Sequence, residues 1–292
     1  MRAYSIRINL NAISTTGTKF LDRLIIFTAI DTFHTDNIPI SNDEFPSNWE
    51  LSVARAIAVS KIMIENGIQH NKHIFVEKPI CWKNEEIGAL LKMSKNYQSI
   101  IQVGHIERYN PTILKIIENK QINLLGGIKY IEAERIGALN KRNEKIPITL
   151  DIMIHDIDLI LSIIKSEIKE VIVDHNNNIN NVSCEIIFQS GQHTHLKSQR
   201  DRTSQKNKRT MNIVCEKGEL KIDFSRKTIH MLQKDETKLV EINTDKNINS
   251  LREEFVDFQY SIQKKIQPLV GIQEGCQAVK LALNIENNIN PS

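Results

Sequence analysis

The sequence predicts a chain of two halves: a parallel α/β half, then an α+β half with an open, mainly antiparallel sheet. Three observations carry that expectation. Before about residue 122, short apolar runs that read as strands alternate with helical patterns, which is the rhythm of a parallel sheet with crossover helices. Beyond it, several strand-like runs follow one another, with Gly191 and Gly218 marking turns between them. Two helical patterns close the chain, and the last is expected to pack back. The expected division is 1–122 and 123–292.

The elements follow in order. Residues 24–30 (LIIFTAI) read as a short buried strand, and the polar stretch 32–50 as loop. Residues 51–66 carry apolar positions at helical spacing and stop at Gly67, a C-cap. HIFVEKPI (73–80) is a strand over 73–76 that breaks at Glu77, Lys78 and Pro79. A helix over 84–97 opens with Asn84 as its cap and glutamates in its first turn. IIQVG (100–104) is the next strand, ending in His105, Glu107, Arg108, Tyr109 and Asn110 before Pro111 opens another helix. A strand over 127–137 and an acid-studded apolar helix over 149–164 come next. Strands are expected at 169–174, 182–189, 193–198, 209–216, 218–224 and 237–242, and helices at 249–265 and 272–287.

Composition excludes several classes of function. With 292 residues the chain can bury a sizeable core, as one large domain or two smaller ones. Its 40% hydrophobic and 25% charged residues are ordinary for a soluble globular protein. A net charge of +3 gives no argument for nucleic acid. The basic run 197–209 (KSQRDRTSQKNKR) lacks interleaved aromatics to stack on bases, so it reads as a solvated hairpin or loop. Cys81, Cys184, Cys215 and Cys276 are spread without metal-ligand spacing. They predict no metal and no disulfide framework, which fits a reducing cytoplasm. No apolar stretch of about 18 residues and no signal pattern occurs, so no membrane is expected as a partner.

Two places carry chemistry. The first is the end of the strand at 73–76. A carboxylate, an amine and a proline at a strand tip are either solvated charges leaving a core or a lysine delivered to a ligand, because open α/β sheets bind ligands at the carboxyl ends of their strands. The second is the helix over 149–164. Asp151 and His155 are four apart and share a face, and Asp158 lies near it. They form either an internally satisfied pair or an acid–base pair in which the carboxylate orients the imidazole.

EKP at a strand end, GHIERYNP after the next strand and DIMIHDID in a helix, followed by an antiparallel sheet, resemble the Gfo/Idh/MocA family of NAD(P)-dependent oxidoreductases. EKGELKIDF (216–224) and the closing helices over 251–283 are similar too, so the resemblance runs from about residue 60 to the end. It implies an incomplete Rossmann-like domain, a substrate-binding domain and NAD or NADP as cofactor. It implies hydride transfer from a secondary hydroxyl of a sugar, with Lys78, Asp151 and His155 catalytic. His155 would take the hydroxyl proton, Lys78 would polarise the same oxygen, and Asp151 would position the substrate. Glu77, Lys78, Pro79 and Asp31 would face the cofactor. GHIERYNP and EAERIGALNKR (132–142) resemble the branch that oxidises nucleotide-linked amino sugars at C3. That branch would turn Arg108, Tyr109, Asn110, Arg135 and Lys141, with His155, toward the sugar or its diphosphate; the alternative for each is a surface side chain. The family also commonly forms homo-oligomers through the C-terminal sheet.

The dinucleotide fingerprint is missing. Gly17 is the only glycine before Gly67, so G-x-G-x-x-G does not occur where a first βαβ unit would lie. The segment 24–34 has two registers: Asp31 as the ribose-binding acid, or His34 in a loop near the nicotinamide. Three readings stay open: a working sugar dehydrogenase, a truncated member acting only as an oligomerising protein, and a nucleotide-sugar-binding module without redox chemistry.

Overall fold

The computed structural model describes residues 24–27, 73–95, 99–118, 125–140, 143–174, 178–201, 207–234, 236 and 239–289. The expected loop 32–50 and helix 51–66, with Asp31, His34 and Lys141, lie outside the described residues. In chain order the elements are β1 (Leu24–Phe27), β2 (His73–Glu77), α1 (Asn84–Ser94), β3 (Ile101–Gly104), a 3-10 turn (Ile106–Tyr109), α2 (Pro111–Glu118), β4 (Ile128–Ala138), a π turn (Thr149–Met153) and α3 (Ile154–Ile163). There follow β5 (Ile168–Val173), β6 (Asn181–Phe188), β7 (His193–Asp201), β8 (Lys208–Cys215), β9 (Gly218–Asp223), β10 (Thr228–Gln233), β11 (Val240–Ile242), α4 (Ser250–Lys264) and α5 (Ile272–Ile289). Two compact units result: Met1–Gly104 with Phe255–Cys276, and His105–Glu254 with Gln277–Ser292. The chain divides after Gly104, ahead of residue 122, because Glu107 and Arg108 are ion-paired to residues of the second unit.

The first unit holds a parallel sheet in the order β1-β2-β3. Ile74, Phe75 and Val76 are buried in succession, as a strand covered on both faces requires. Phe75 stacks on Phe255 at 4.9 Å and meets Phe258 edge-on at 5.7 Å. Val103 N donates to Val270 O, so the segment between α4 and α5 lines the edge of β3. α1 begins one residue differently from the expectation. Lys83, not Asn84, is the cap position, and the Glu86 carboxylate accepts from the N–H groups of both Trp82 and Lys83. Glutamate at the third helical position thus reaches back to the N–H groups just ahead of the helix, the return half of a capping box.

The second unit holds an eight-stranded sheet in the order β11-β10-β9-β8-β4-β7-β6-β5. Its pairs are antiparallel except β4 with β7. Burial alternates strictly along β6 and β7, so one face is covered and the other is more open. α3 and the π turn contact the sheet at β7, and the π turn also meets β4. Two expectations need correction. The basic run 197–209, expected as a hairpin or loop, has its ends in β7 and β8, which flank β4 on opposite sides and do not pair with each other, and residues 202–206 lie outside the described residues. β10 was not expected, since its buried Ile229 and Met231 sit between polar Thr228, His230 and Gln233 in only six residues.

Gly218 is the tight point of the β8–β9 hairpin. Its φ is +156°, and a Cβ there would lie 2.2 Å from Leu232 O. Neither the backbone carbonyl nor the dihedral gives way cheaply. Gly218→Ala is therefore expected to cost more than about 1 kcal/mol in urea unfolding.

Candidate active site

The EKP turn ends β2. Glu77 is paired in register with Gly104 on β3, and a Cβ on Gly104 would lie 2.7 Å from Glu77 Oε2. Glycine at 104 is what leaves room for the carboxylate. Lys78 is only 8% exposed, and the Lys78–Pro79 peptide is cis. A buried ammonium is costly without an anion nearby. Glu77 supplies one, although burial of its carboxyl outweighs the pull of Lys78 and lifts it above the ordinary glutamate value of 4.5. Glu77, Lys78 and Pro79 thus stand together at the carboxyl end of a parallel strand.

In the second unit the chemistry gathers on the segment from Thr149 to Ile163. A single π turn precedes α3, and His155 is the second residue of that helix. Three carboxylates on the segment are each held by an arginine from a different element. Asp151 Oδ2 accepts from Arg200 Nη1 at 2.9 Å. Asp156 receives a fork from Arg135, at 2.9 Å from Nε and 2.8 Å from Nη2. Asp158 receives a second fork from Arg108, at 2.5 Å from Nε and 2.8 Å from Nη2. Arg135 also donates to Glu107 at 2.9 Å, and the more exposed Arg209 approaches the same glutamate at 3.4 Å. His105 Nδ1 lies 3.8 Å from Asp158 Oδ2. Burial alone would pull the Arg135 guanidinium down, but Asp156 and Glu107 together hold it above its usual value. For Arg200 burial wins over Asp151 and the guanidinium is lowered.

These contacts bear on the residues the sequence singled out. Arg108 and Arg135 are 5% and 3% exposed. They are not surface side chains, and a diphosphate contact by either would require its fork to leave a buried carboxylate. Tyr109 is buried as well. Asn110 Oδ1 accepts from both Thr112 N and Thr112 Oγ1 and so starts α2, while its Nδ2 donates to Glu107 and to Phe224 O. The segment 105–111 is therefore tied into the fold of the second unit. Sequence reasoning missed Arg200, Glu107 and Asp156. A signal for Arg200 was present: it falls on the inward register of β7, in line with Thr194, Leu196 and Ser198. An arginine at an inward position of an alternating strand calls for a buried partner.

No protein-family model matches the chain. UDP-N-acetylglucosamine 3-dehydrogenase of Acidithiobacillus ferrooxidans is 33% identical over 110 residues, 38% of this chain and 33% of that protein. The matched stretch thus spans about a third of the length of that curated relative. A solved structure of UDP-N-acetylglucosamine 3-dehydrogenase from the same organism superposes with a TM-score of 0.71 at 22% identity, covering 85% of this chain and 82% of that one. Levoglucosan dehydrogenase in complex with NADH and L-sorbose superposes with a TM-score of 0.68 at 17% identity, covering 82% of this chain and 74% of that one. The chain has the fold of Gfo/Idh/MocA-type dehydrogenases and resembles their sugar-oxidising members.

Two predictions follow from the charges. Arg135→Met keeps the volume but strands Asp156 and Glu107 in the interior, and is expected to cost about 3–5 kcal/mol in denaturant unfolding. Glu77 is raised in the native state, so its contribution to stability is full below 4.5 and is lost as pH rises through the raised value. Glu77→Gln removes that loss. Unfolding measured at about pH 4 and about pH 7 should show the variant gaining on the wild type toward neutrality.

Proposed function

We propose that the chain is an oxidoreductase of the Gfo/Idh/MocA family. In this reading it moves a hydride between a secondary hydroxyl of a sugar, in particular a nucleotide-linked amino sugar, and NAD or NADP. The observation that carries the reading is the pair of prepared sites. A buried lysine stands at the carboxyl end of a parallel strand, and a histidine rides on a segment pinned by three ion pairs, two of them fully buried. Folding alone does not require either. The relatives that act on sugars support the substrate class, and the NADH complex of levoglucosan dehydrogenase supports the cofactor.

The residues divide the work by their chemistry. Loss of a hydride from the carbinol carbon leaves its oxygen needing a base and a cationic neighbour. The imidazole of His155 takes the hydroxyl proton. Lys78 Nζ holds the oxygen as its charge grows. Asp151 orients the hydroxyl and the imidazole from its tether on Arg200. When bound, the nicotinamide supplies the hydride acceptor. Lys78, with Glu77 and Pro79 beside it, fits the nicotinamide end of such a cofactor, because open α/β sheets bind ligands at the carboxyl ends of their strands. Arg108 and Arg135 serve by holding the segment that carries His155. The open face of the eight-stranded sheet, with its His193–Glu185 and His195–Ser183 contacts, is the surface we assign to self-association.

A second reading has one observation in its favour. The stretch before Gly67 holds Gly17 alone and so carries no G-x-G-x-x-G turn of the kind that lets a backbone approach a pyrophosphate. In that reading the protein binds a nucleotide sugar, or only associates with itself, without redox chemistry.

Calorimetry with NADH, with and without UDP-N-acetylglucosamine, separates the two. The proposal expects a micromolar dissociation constant and turnover of a nucleotide sugar. His155→Ala is then expected to lower kcat by about 10²–10⁴-fold, and Lys78→Ala by about 10²–10³-fold. A folded protein that binds the sugar nucleotide but no NADH or NADPH supports the second reading instead.

A further inference from the structure

Arg200 is the least expected of the buried charges. It stands at the inward register of β7, and its side chain is 0% exposed. One guanidinium serves four acceptors: Asp151 Oδ2, the carbonyl oxygens of Asn143 and Ile146 at 2.6 Å each, and that of Ile179 at 2.9 Å. Three of these flank one event in the chain. Asn143 and Ile146 lie just before Pro147, whose carbonyl accepts from Leu150 N and Asp151 N as the π turn begins. Asp151 lies within the turn.

A π turn is rare because its backbone hydrogen bonds are poorer than those of an α-helix, and such turns concentrate at functional sites. Something outside the turn must hold it. Thr149 Oγ1 donates to Glu286 at 2.8 Å. The stronger tie is Arg200, which grips the carbonyls ahead of the turn and the carboxylate inside it at once. Relaxation of the turn to α geometry would change the angular offset between Asp151 and His155, the second residue of the regular helix that follows.

We propose that Arg200 is the positioning residue of this site: it holds the π turn open and thereby fixes Asp151 relative to His155. Arg200 acts through Asp151 and the backbone, not on substrate. Lysine cannot replace it, since a single ammonium lacks the fork that reaches both sides of the turn. The activity part of the inference rests on the function proposed above; the structural part does not.

The test compares Arg200→Lys, which keeps the charge, with the wild type, by amide hydrogen exchange and by turnover. The amides of residues 150–155 are expected to exchange about tenfold faster, with the second half of α3 and strands β6 to β8 little changed. In turnover of NAD and UDP-N-acetylglucosamine, kcat is expected to fall about tenfold or more with KM nearly constant, the mark of a lost reacting geometry. Asp151→Asn, which keeps the shape of the side chain, is expected to give the same local exchange pattern and carries the test if Arg200→Lys does not fold. A uniform rise in exchange across the unit would make Arg200 an ordinary stabilising residue and overturn the inference. So would unchanged exchange in 150–155, or unchanged kcat in an active protein. If the wild type turns over no sugar, the proposed function fails and the exchange pattern alone decides the role of Arg200.

Discussion

Three arginine–aspartate pairs on one short segment are the constraint on which the second unit depends. Arg200, Arg135 and Arg108 come from β7, β4 and the turn before α2, and they grip Asp151, Asp156 and Asp158. Buried pairs of this kind add little net stability, because desolvation offsets most of the attraction. Their force is in exclusion. Any rotation or slip of the segment would strand several charges at once, and each stranded charge costs about 3–5 kcal/mol. The apolar residues of α3 alone, with Ile154, Ile157, Leu159 and Ile160 all buried, would tolerate more than one rotation. The ion pairs remove that freedom, and with it any ambiguity about where His155 points on its helix.

The parallel unit uses a different device for the same end. Ile74, Phe75 and Val76 bury the strand, and the chain turns sharply at Glu77, Lys78 and Pro79. Lys78 is kept within the protein instead of being released to water, and Glu77 is kept beside it at some cost, as its raised carboxyl shows. Gly104 makes the arrangement sterically feasible by offering no Cβ on the neighbouring strand. Two charged groups are thus retained where apolar residues would have been cheaper for folding.

Much of this was legible in the sequence, for physical reasons that differ by element. The continuous apolar run at 74–76, the alternation along β6 and β7 and the helical spacing of α4 and α5 all write burial directly into residue type. β10 was not legible because its two buried residues are too few to set a period against three polar neighbours. The helix expected over 149–164 was legible in extent but not in kind: the switch from π turn to α-helix depends on Arg200, some 50 residues away along the chain. The candidate site was legible only in part. Lys78, Asp151 and His155 could be picked by motif, whereas the burial of Arg108 and Arg135 could not, because an arginine's sequence neighbours do not reveal whether its fork meets water, phosphate or carboxylate. Asp158 was in view beside the expected pair and Asp156 was not, and the partners of both lay in other elements.

The measurement that tests the account most directly is isotope transfer. The protein is incubated with NAD and UDP-N-acetylglucosamine carrying deuterium at C3, and the nicotinamide is analysed by mass spectrometry, with His155→Ala in parallel. The account predicts deuterium on the reduced nicotinamide with the wild type and a large loss of that transfer in the variant. Unlabelled NAD recovered from a folded protein that binds the sugar nucleotide would contradict hydride transfer at this site and leave the pinned histidine as part of a binding module.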